Sequence, residues 1–238
     1  MYNIIGDIHS RDVWKKLVRE DCVNVFVGDY FSPYEYHTFN EQEECFMDIV
    51  LYKMKHPETI MLLGNHDEDH WHIREMYSRF DAKHYKDISH LFEENKDYLQ
   101  LAYSIENKIL VTHAGVSKLW YENNIKNTIT PDNICNSINE LWINGNFSSF
   151  NFKSNKSILT DYYGNDPNQG PLWIRPKALI TNNVFTNTNY YQVVGHTKTK
   201  HIFSYNNIYF IDTLSEKNPE SLLLDIKDDN IQFSINKI

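Results

Sequence analysis

Five short polar motifs, each directly after an apolar run, carry the side chains of this sequence that are best suited to metal binding. They are Gly6-Asp7-Ile8-His9, Gly28-Asp29-Tyr30, Gly64-Asn65-His66-Asp67, Thr112-His113-Ala114-Gly115 and Gly195-His196-Thr197. Carboxylate, imidazole and amide oxygen donors without a thiolate suit Mn, Fe or Zn ions. A pair of ions about 3.5–4 Å apart also needs a bridging carboxylate, and the set offers candidates for it. The motifs together predict a centre for two divalent cations.

Each motif alone has an ordinary structural explanation. Asp29 after Gly28 is typical of a turn or a helix cap, and the amide of Asn65 can close an Asx-turn. A single histidine after an apolar strand is usually a structural residue. The prediction of chemistry therefore depends on the repetition of the arrangement in five separate segments, which together contain four of the 11 histidines.

The elements that must position the first three motifs alternate between strand and helix. Apolar runs predict strands at 4–5, 23–27 and 59–63. Helical periodicity begins at about Ser10 and again at 40–56, where Asn40 is the predicted N-cap. A β-α-β-α-β order predicts neighbouring parallel strands, whose carboxyl ends share one edge of a sheet. Ligands of such sheets bind beyond that edge.

The rest of the chain is predicted to be helical first and rich in strands later. Helical patterns lie at 69–80, 88–98 and 131–143, and strand patterns at 101–105, 108–112, 191–194, 207–211, 221–226 and 231–235. The segment 144–170 is rich in Asn, Ser, Gly and Tyr and predicts a long loop. A loop of this length in a compact domain serves as a lid or substrate loop more often than as filler.

Composition and charge limit the class of protein. The 238 residues are 41% hydrophobic and 23% charged, which is typical of one globular domain. The net charge of −9 argues against a nucleic-acid partner, because binding phosphates requires a positive surface. Three widely spaced cysteines predict neither disulfides nor a thiolate metal site, and hence a reducing, cytoplasmic location. We expect no signal peptide and no membrane partner, since no apolar run reaches the roughly 18 residues of a bilayer span.

In these ordered motifs the sequence resembles the calcineurin-like metallophosphoesterases. The resemblance runs from residue 6 to about 213. Within the superfamily it is most similar to the phosphoprotein-phosphatase branch and to bacterial or phage relatives that include symmetrical diadenosine tetraphosphatases. Trp173-Ile174-Arg175 resembles the Trp-x-Arg element that this branch carries between its fourth and fifth motifs. Ile211-Asp212-Thr213 resembles the strand end after the last histidine, although Leu214 replaces the glycine of the family.

The resemblance implies a fold and a role for each motif. The fold would be α/β (α+β), a four-layer αββα sandwich of two mixed β-sheets flanked by helices. It would form a single domain over 1–238, in which 69–100 and the loop 144–170 frame the active-site cleft. The implied metal ligands are Asp7, His9, Asp29, Asn65, His113 and His196, with Asp29 as the bridge. His66 would be the catalytic general acid, and Arg175 with Asn65 would bind the substrate phosphate.

The implied function is hydrolysis of phosphomonoesters, as in phosphoprotein Ser/Thr phosphatases, by in-line attack of a hydroxide that bridges two divalent metal ions. Mn²⁺ is the expected metal, with Fe or Zn²⁺ as alternatives, and the partner is a phosphorylated substrate, either phosphoprotein or nucleotide. Alternatives are a nucleotide hydrolase or phosphodiesterase acting on a dinucleoside polyphosphate or cyclic nucleotide, a nuclease, and a catalytically inactive scaffold. Side chains available to stack a base are Tyr30, Tyr34, Tyr162, Tyr163 and Trp173. The patterns leave the oligomeric state open.

The second motif departs from the pattern of the branch. The family continues from the bridging aspartate as x-x-Asp-Arg-Gly, whereas this sequence continues as Tyr30-Phe31-Ser32-Pro33-Tyr34. Ser32 stands where the family has an aspartate that pairs with the catalytic histidine, and Pro33 stands where it has a phosphate-binding arginine. Glu35 or His37 could replace that aspartate. Because the chain has only five arginines, the departure leaves Arg175 as the expected phosphate clamp.

Overall fold

The chain divides into two compact units, each built on one mixed β-sheet. The structure is a computed structural model and describes residues 1–72, 76–152, 163–227 and 230–238. The first unit contains Met1–Leu99, Lys200–Ile202 and Ile211–Ile238, and the second contains Gln100–Thr199 and Phe203–Phe210. The single domain over 1–238 stays a prediction.

The described residues contain strands and helices in alternation. The strands are β1 (Tyr2–Ile5), β2 (Val23–Phe26), β3 (Ile60–Leu62), β4 (Leu99–Gln100), β5 (Ala102–Ile105), β6 (Ile109–Thr112), β7 (Tyr191–Val194), β8 (Phe203–Tyr205), β9 (Ile208–Phe210), β10 (Glu220–Lys227) and β11 (Asn230–Lys237). The α-helices are α1 (Trp14–Leu17), α2 (Phe39–Lys55), α3 (Asn65–His72), α4 (Tyr85–Glu94), α5 (Lys118–Asn124), α6 (Pro131–Ile143) and α7 (Pro176–Thr181). Short 3₁₀ turns cover Lys96–Tyr98 and Phe147–Phe150.

The sheet of the first unit has the strand order β11-β10-β1-β2-β3-β4. Its centre is the predicted parallel set, in which Ile4 lies opposite Val25 and Phe26 lies opposite Met61. These side chains are fully buried, which explains why the strands are nearly continuous apolar runs. Strand β10 pairs antiparallel with β1 and with β11, so the sheet is mixed. The predicted β-α-β-α-β order is confirmed.

The helix boundaries of the first unit differ from the predicted ones for local reasons. Helix α1 does not begin near Ser10, because the backbone at 8–10 is hydrogen-bonded to the backbone at 28–30. Helix α2 begins at Phe39, and the prediction of Asn40 as its N-cap is wrong. Thr38 is the N-cap, and it forms a capping box with Glu41 that satisfies two backbone N–H groups.

The sheet of the second unit has the strand order β5-β6-β7-β9-β8. The predicted hairpin of β5 and β6 is present, and its turn residues Glu106 and Asn107 both have positive φ, as a two-residue hairpin turn requires. Strands β6, β7 and β9 are neighbouring and parallel. Helix α6 begins as predicted, with Thr130 as N-cap and Pro131 in the first turn. The predicted fold class, with two mixed sheets flanked by helices, is confirmed.

Several predictions concern residues outside the described part of the chain. Residues 153–162 of the predicted loop 144–170 lie outside it, and so does the candidate stacking residue Tyr162. The predicted helical pattern at 69–80 includes 73–75, which also lie outside it. Among the described residues, no helix combines the length and the apolar character that a membrane crossing requires. The three cysteines are buried and free.

Candidate active site

Three neighbouring parallel strands of the first unit bring its predicted site residues to one edge of the sheet. Asp7 and His9 follow β1, Asp29 follows β2 and Asn65 follows β3, and all four are buried. The first two loops stay side by side beyond the strands, because the His9 backbone N–H donates to the Asp29 carbonyl at 2.6 Å. The structure therefore brings together all the ligands that were predicted in this unit.

The imidazole of His9 has the form that binds a cation. Its Nδ1 lies 3.1 Å from the Phe31 carbonyl oxygen, which can only accept a hydrogen bond. Nδ1 therefore donates, and Nε2 carries the lone pair. That nitrogen lies 3.5 Å from Asp29 Oδ2 and 4.0 Å from Asp7 Oδ2. Burial lowers the pKa of His9 to about 3, although Asp29 opposes the shift, so the ring is neutral. Metal-ligating histidines commonly show this arrangement, and the donor set fits a divalent cation.

The carboxylate of Asp29 is held at the start of helix α3. Its Oδ1 accepts a hydrogen bond from the His66 backbone N–H at 3.0 Å, where the N-terminus of a helix stabilises negative charge. This approach requires Gly64, because a Cβ there would overlap Asp29 Oδ1. It also requires Gly28, where a Cβ would overlap the backbone of Gly64. The two glycines thus allow the second and third motifs to touch.

Asp67 connects the same two motifs through its side chain. Its carboxylate accepts hydrogen bonds from the backbone N–H groups of Asp29 at 2.6 Å, Tyr30 at 2.8 Å and Gly64 at 2.9 Å. Burial and, next, the nearby Asp29 charge raise the pKa of Asp67, while the three donors favour the charged form and oppose that shift. These contacts give Asp67 a structural role, which is to hold the histidine turn against the second motif.

His66, the predicted general acid, lies beside an arginine that the sequence analysis missed. Arg79 Nη2 lies 2.8 Å from His66 Nε2, and Arg79 Nη1 donates to the Ser32 carbonyl at 3.2 Å. The Arg79 guanidinium also lies 3.6 Å from the centre of the Tyr34 ring. The only signal for this residue in the sequence is weak: Arg79 is one of five arginines.

Among the described residues, the partners of Glu35 and His37, the side chains proposed to replace the aspartate of the family, lie away from His66: they are Arg11 and the Glu35 backbone. Ser32 Oγ is buried and has no hydrogen-bond partner in the described part of the chain. The exposed Glu35 lies 3.7 Å from Arg11, and His37 Nδ1 lies 3.2 Å from the Glu35 carbonyl oxygen. The partner that the structure gives to His66 at this place is therefore a cation, where the family has a carboxylate.

Two neighbouring parallel strands of the second unit position the other predicted ligands. His113 follows β6 and His196 follows β7, and His113 Nε2 lies 3.2 Å from His196 Nδ1. The other nitrogen of His196, Nε2, lies 3.1 Å from the Trp173 carbonyl oxygen and donates to it. In the neutral ring, Nδ1 of His196 is then unprotonated and faces His113, as in a metal-ligating histidine whose other nitrogen donates to a backbone carbonyl.

Arg175 lies against the fifth motif within the second unit. Its Nη1 donates to the His196 carbonyl and to Thr197 Oγ1, both at 3.0 Å. The residue is also the N-cap of helix α7, and that helix packs its buried face into a core cluster with Ile174 and Val194. The Trp-x-Arg element is thus fixed beside His196. The predicted role of Arg175 in phosphate binding stays a prediction.

Left-handed backbone recurs at the motif residues. Positive φ angles occur at His9 (46°), Ser10 (59°), Asp29 (54°), Ser32 (61°) and His196 (63°). L-residues rarely adopt this conformation, and it costs about 1–2 kcal/mol each. Such strain is concentrated at functional sites, where the surrounding contacts enforce it.

The fold of the chain is shared with a known phosphatase. A solved structure of a protein serine/threonine phosphatase from Saccharomyces cerevisiae, with similarity to human phosphatase PP5, matches with a TM-score of 0.57 and 13% sequence identity. The match covers 98% of this chain and 78% of that one. At this identity the likeness shows the fold alone. None of the curated proteins compared with the sequence gives a significant match.

The family model for calcineurin-like phosphoesterases matches residues 3–197, and the chain belongs to this family. The predicted family is thereby confirmed. The protein is a metal-dependent hydrolase of phosphoric esters, as the sequence predicted.

Proposed function

We propose that the protein is a dinuclear phosphomonoesterase. The observation that carries this proposal is the state of two predicted histidine ligands, one in each unit. His9 Nδ1 and His196 Nε2 each donate a hydrogen bond to a backbone carbonyl. In each ring the other nitrogen is unprotonated and faces other predicted ligands. The proposed ligand set is Asp7, His9, Asp29, Asn65, His113 and His196. Nitrogen and oxygen donors without thiolates favour Mn²⁺, with Fe or Zn²⁺ as alternatives.

The side chains divide the work of the reaction. When bound, two cations would lower the pKa of a water molecule and neutralise charge on the phosphoryl oxygens. Asp29 would hold both cations, and the hydrogen bond from the His66 backbone N–H fixes the direction of its carboxylate. His66 protonates the oxygen of the leaving group, and Arg175 with Asn65 holds phosphoryl oxygens.

A phosphomonoester, with a phosphoprotein as the first substrate to test, is the proposed substrate class. The serine/threonine phosphatase with the matching fold supports this order of testing. A nucleotide substrate would need an exposed ring for its base. Tyr34 is 44% exposed, but the Arg79 guanidinium lies over its ring, and this argues against base stacking there. Nucleotide hydrolysis is the alternative, and a comparison of substrates distinguishes it from phosphomonoester hydrolysis.

Metal-dependent hydrolysis of p-nitrophenyl phosphate tests the proposal. With Mn²⁺ added, the purified protein should release p-nitrophenol, and a chelator should stop the reaction. Asp29→Asn should abolish activity, because it removes the bridging charge. His66→Ala should lower kcat about 100-fold or more, which is the usual contribution of a proton donor.

Matched surface variants provide the controls. Asp21→Asn and His90→Ala change the same residue types at exposed positions and should retain wild-type activity. A panel of a phosphopeptide, bis-p-nitrophenyl phosphate, diadenosine tetraphosphate and a cyclic nucleotide then compares substrate classes by kcat/KM. Preference for a diester or a nucleotide would refute the monoesterase proposal. Absence of activity on every member, with no metal bound by elemental analysis, would refute the dinuclear centre itself.

A further inference from the structure

The first unit contains a group of side chains beside His66 to which the proposed function gives no role. Arg79 lies between three partners, namely the imidazole of His66, the carbonyl of Ser32 and the ring of Tyr34. The Tyr34 ring in turn lies 4.8 Å from the ring of the predicted ligand His9. A permanently charged guanidinium thus sits within two side-chain contacts of the proposed metal ligands.

A second guanidinium adds positive charge to the same place. The centre of the Arg11 guanidinium lies 5.3 Å from the centre of the Tyr34 ring, and the side chain is only 11% exposed. Both of its terminal nitrogens are buried and have no hydrogen-bond partner among the described residues. Its nearest carboxylate, that of Glu35, is 3.7 Å away and 63% exposed. Buried guanidinium donors without acceptors favour an anion at this place.

The contact between Arg79 and His66 has only one chemical direction. An arginine side chain has donors and no acceptor, so Arg79 Nη2 donates and His66 Nε2 accepts. In this arrangement His66 Nε2 carries no proton. Arg79 must move away before that nitrogen can take up a proton and donate it to the leaving group. The backbone of Arg79 is also left-handed, with φ of 65°, a conformation that arginine rarely adopts and that functional sites often contain.

We propose that Arg79 binds the phosphoryl group of the substrate. When substrate binds, the guanidinium leaves the imidazole nitrogen of His66 and donates hydrogen bonds to two phosphoryl oxygens. Two oxygens match its pair of parallel N–H donors better than a single imidazole nitrogen does. The exchange frees His66 Nε2 when substrate is bound, so that this nitrogen can take up a proton from water and pass it to the oxygen of the leaving group. Arg79 thereby replaces, from a different part of the chain, the arginine that related phosphatases carry where this sequence has Pro33. The proposal rests on the proposed function, since it assigns a residue to the same reaction.

The test compares Arg79→Ala with wild type in the metal-loaded protein. Two quantities are measured, the KM for p-nitrophenyl phosphate and the dissociation constant of inorganic phosphate by titration calorimetry. Both should rise about tenfold or more, because a charge-assisted bidentate contact is lost. The fall in kcat should be smaller, since binding of the ground state and the transition state is lost together. Arg79→Lys should give intermediate values, because it keeps the charge and loses the fork.

Arg19→Ala is the matched control. Arg19 is an exposed arginine whose side chain pairs with Asp21, so its removal should leave KM and phosphate affinity unchanged. Thermal melting of each variant verifies folding. If Arg79→Ala does not fold, Arg79→Lys and Arg79→Gln carry the comparison.

Unchanged KM and unchanged phosphate affinity in the variants would overturn the proposal. A loss of kcat alone would also overturn it, and would make Arg79 a positioning residue for His66. The two proposals fail separately. If wild type hydrolyses no phosphoester yet binds phosphate about tenfold more tightly than Arg79→Ala, the proposed function fails and the phosphate site remains.

Discussion

At the scale of single residues, three of the proposed ligands, His9, Asp29 and His196, are oriented by contacts behind them. A backbone carbonyl fixes the ring of His9, and the first turn of a helix fixes the carboxylate of Asp29. The ligand types could be recognised from the sequence because each follows a strand in a short polar motif. Arg79 could not be recognised in this way, because its contact with His66 depends on how the chain returns after helix α3.

Asp67 offers a test of these supporting contacts. In Asp67→Asn, an amide N–H₂ replaces one carboxylate oxygen, so at least one of the three backbone N–H donors loses its acceptor. The free energy of unfolding should fall by about 1–3 kcal/mol, the cost of leaving a buried donor unpaired. Urea denaturation measures this change.

The exposed variant Asp21→Asn is the control for that substitution, and it should shift the free energy of unfolding by no more than about 0.5 kcal/mol. Equal stability of Asp67→Asn and wild type would contradict the role assigned to the Asp67 carboxylate. Activity should fall in Asp67→Asn as well, because the same side chain holds the backbone of Asp29.

At the scale of elements, strand order was more predictable than helix boundaries. The parallel strands β1, β2 and β3 follow from long apolar runs separated by helical periodicity. The start of α2 depends instead on one side-chain contact, between Thr38 and Glu41, and similar residues two positions later looked equally suitable. The shortness of α1 depends on backbone hydrogen bonds to a loop distant in the sequence, which periodicity does not reveal.

Because Gly64 lies at the junction of β3 and α3, Gly64→Ala should strongly reduce both stability and activity. The added methyl group would overlap the Asp29 carboxylate and backbone, so the turn and the proposed bridge cannot keep their positions together. Unfolding free energy should fall by about 3 kcal/mol or more, at the upper end of overpacking effects. Denaturant unfolding and the Mn²⁺-dependent rate measure the two consequences.

Gly145→Ala is the control that separates the steric overlap from the loss of the backbone freedom of glycine. Gly145 has φ of 76°, and a Cβ there would meet only Phe147, at 3.9 Å. This variant should cost about 1–2 kcal/mol through backbone conformation alone and should retain activity. If the two variants lost stability and activity equally, the close approach of Gly64 to Asp29 would not explain the result.

At the scale of the whole molecule, the predicted ligands are divided between the two units, and the family match runs through both of them. The composition limited the class of protein, but it did not reveal the division into units, because both units have sheets built from similar short apolar strands. The net charge of −9 does not identify a partner, since only two of the 32 acidic residues are proposed metal ligands.

Metal binding should stabilise the folded chain by mass action. At a free Mn²⁺ concentration 100 times the dissociation constant, the free energy of unfolding should rise by about 2.7 kcal/mol. Differential scanning calorimetry should show a higher Tm with Mn²⁺ and a lower Tm after chelation. Asp29→Asn should remove most of the shift, whereas Asp21→Asn should keep it. A Tm that does not respond to Mn²⁺ would contradict the proposed centre.

The left-handed backbone at His9, Asp29 and His196 also limits how this centre can be redesigned. Besides glycine, only asparagine, aspartate and histidine adopt that conformation with any frequency. Exchange of one of these three ligands for glutamate, cysteine or threonine would therefore alter the path of the chain as well as the donor atom. Few residue types are therefore suitable at these three positions when a different metal preference is engineered. Substitutions at Asp7, Asn65 and His113 offer a wider choice.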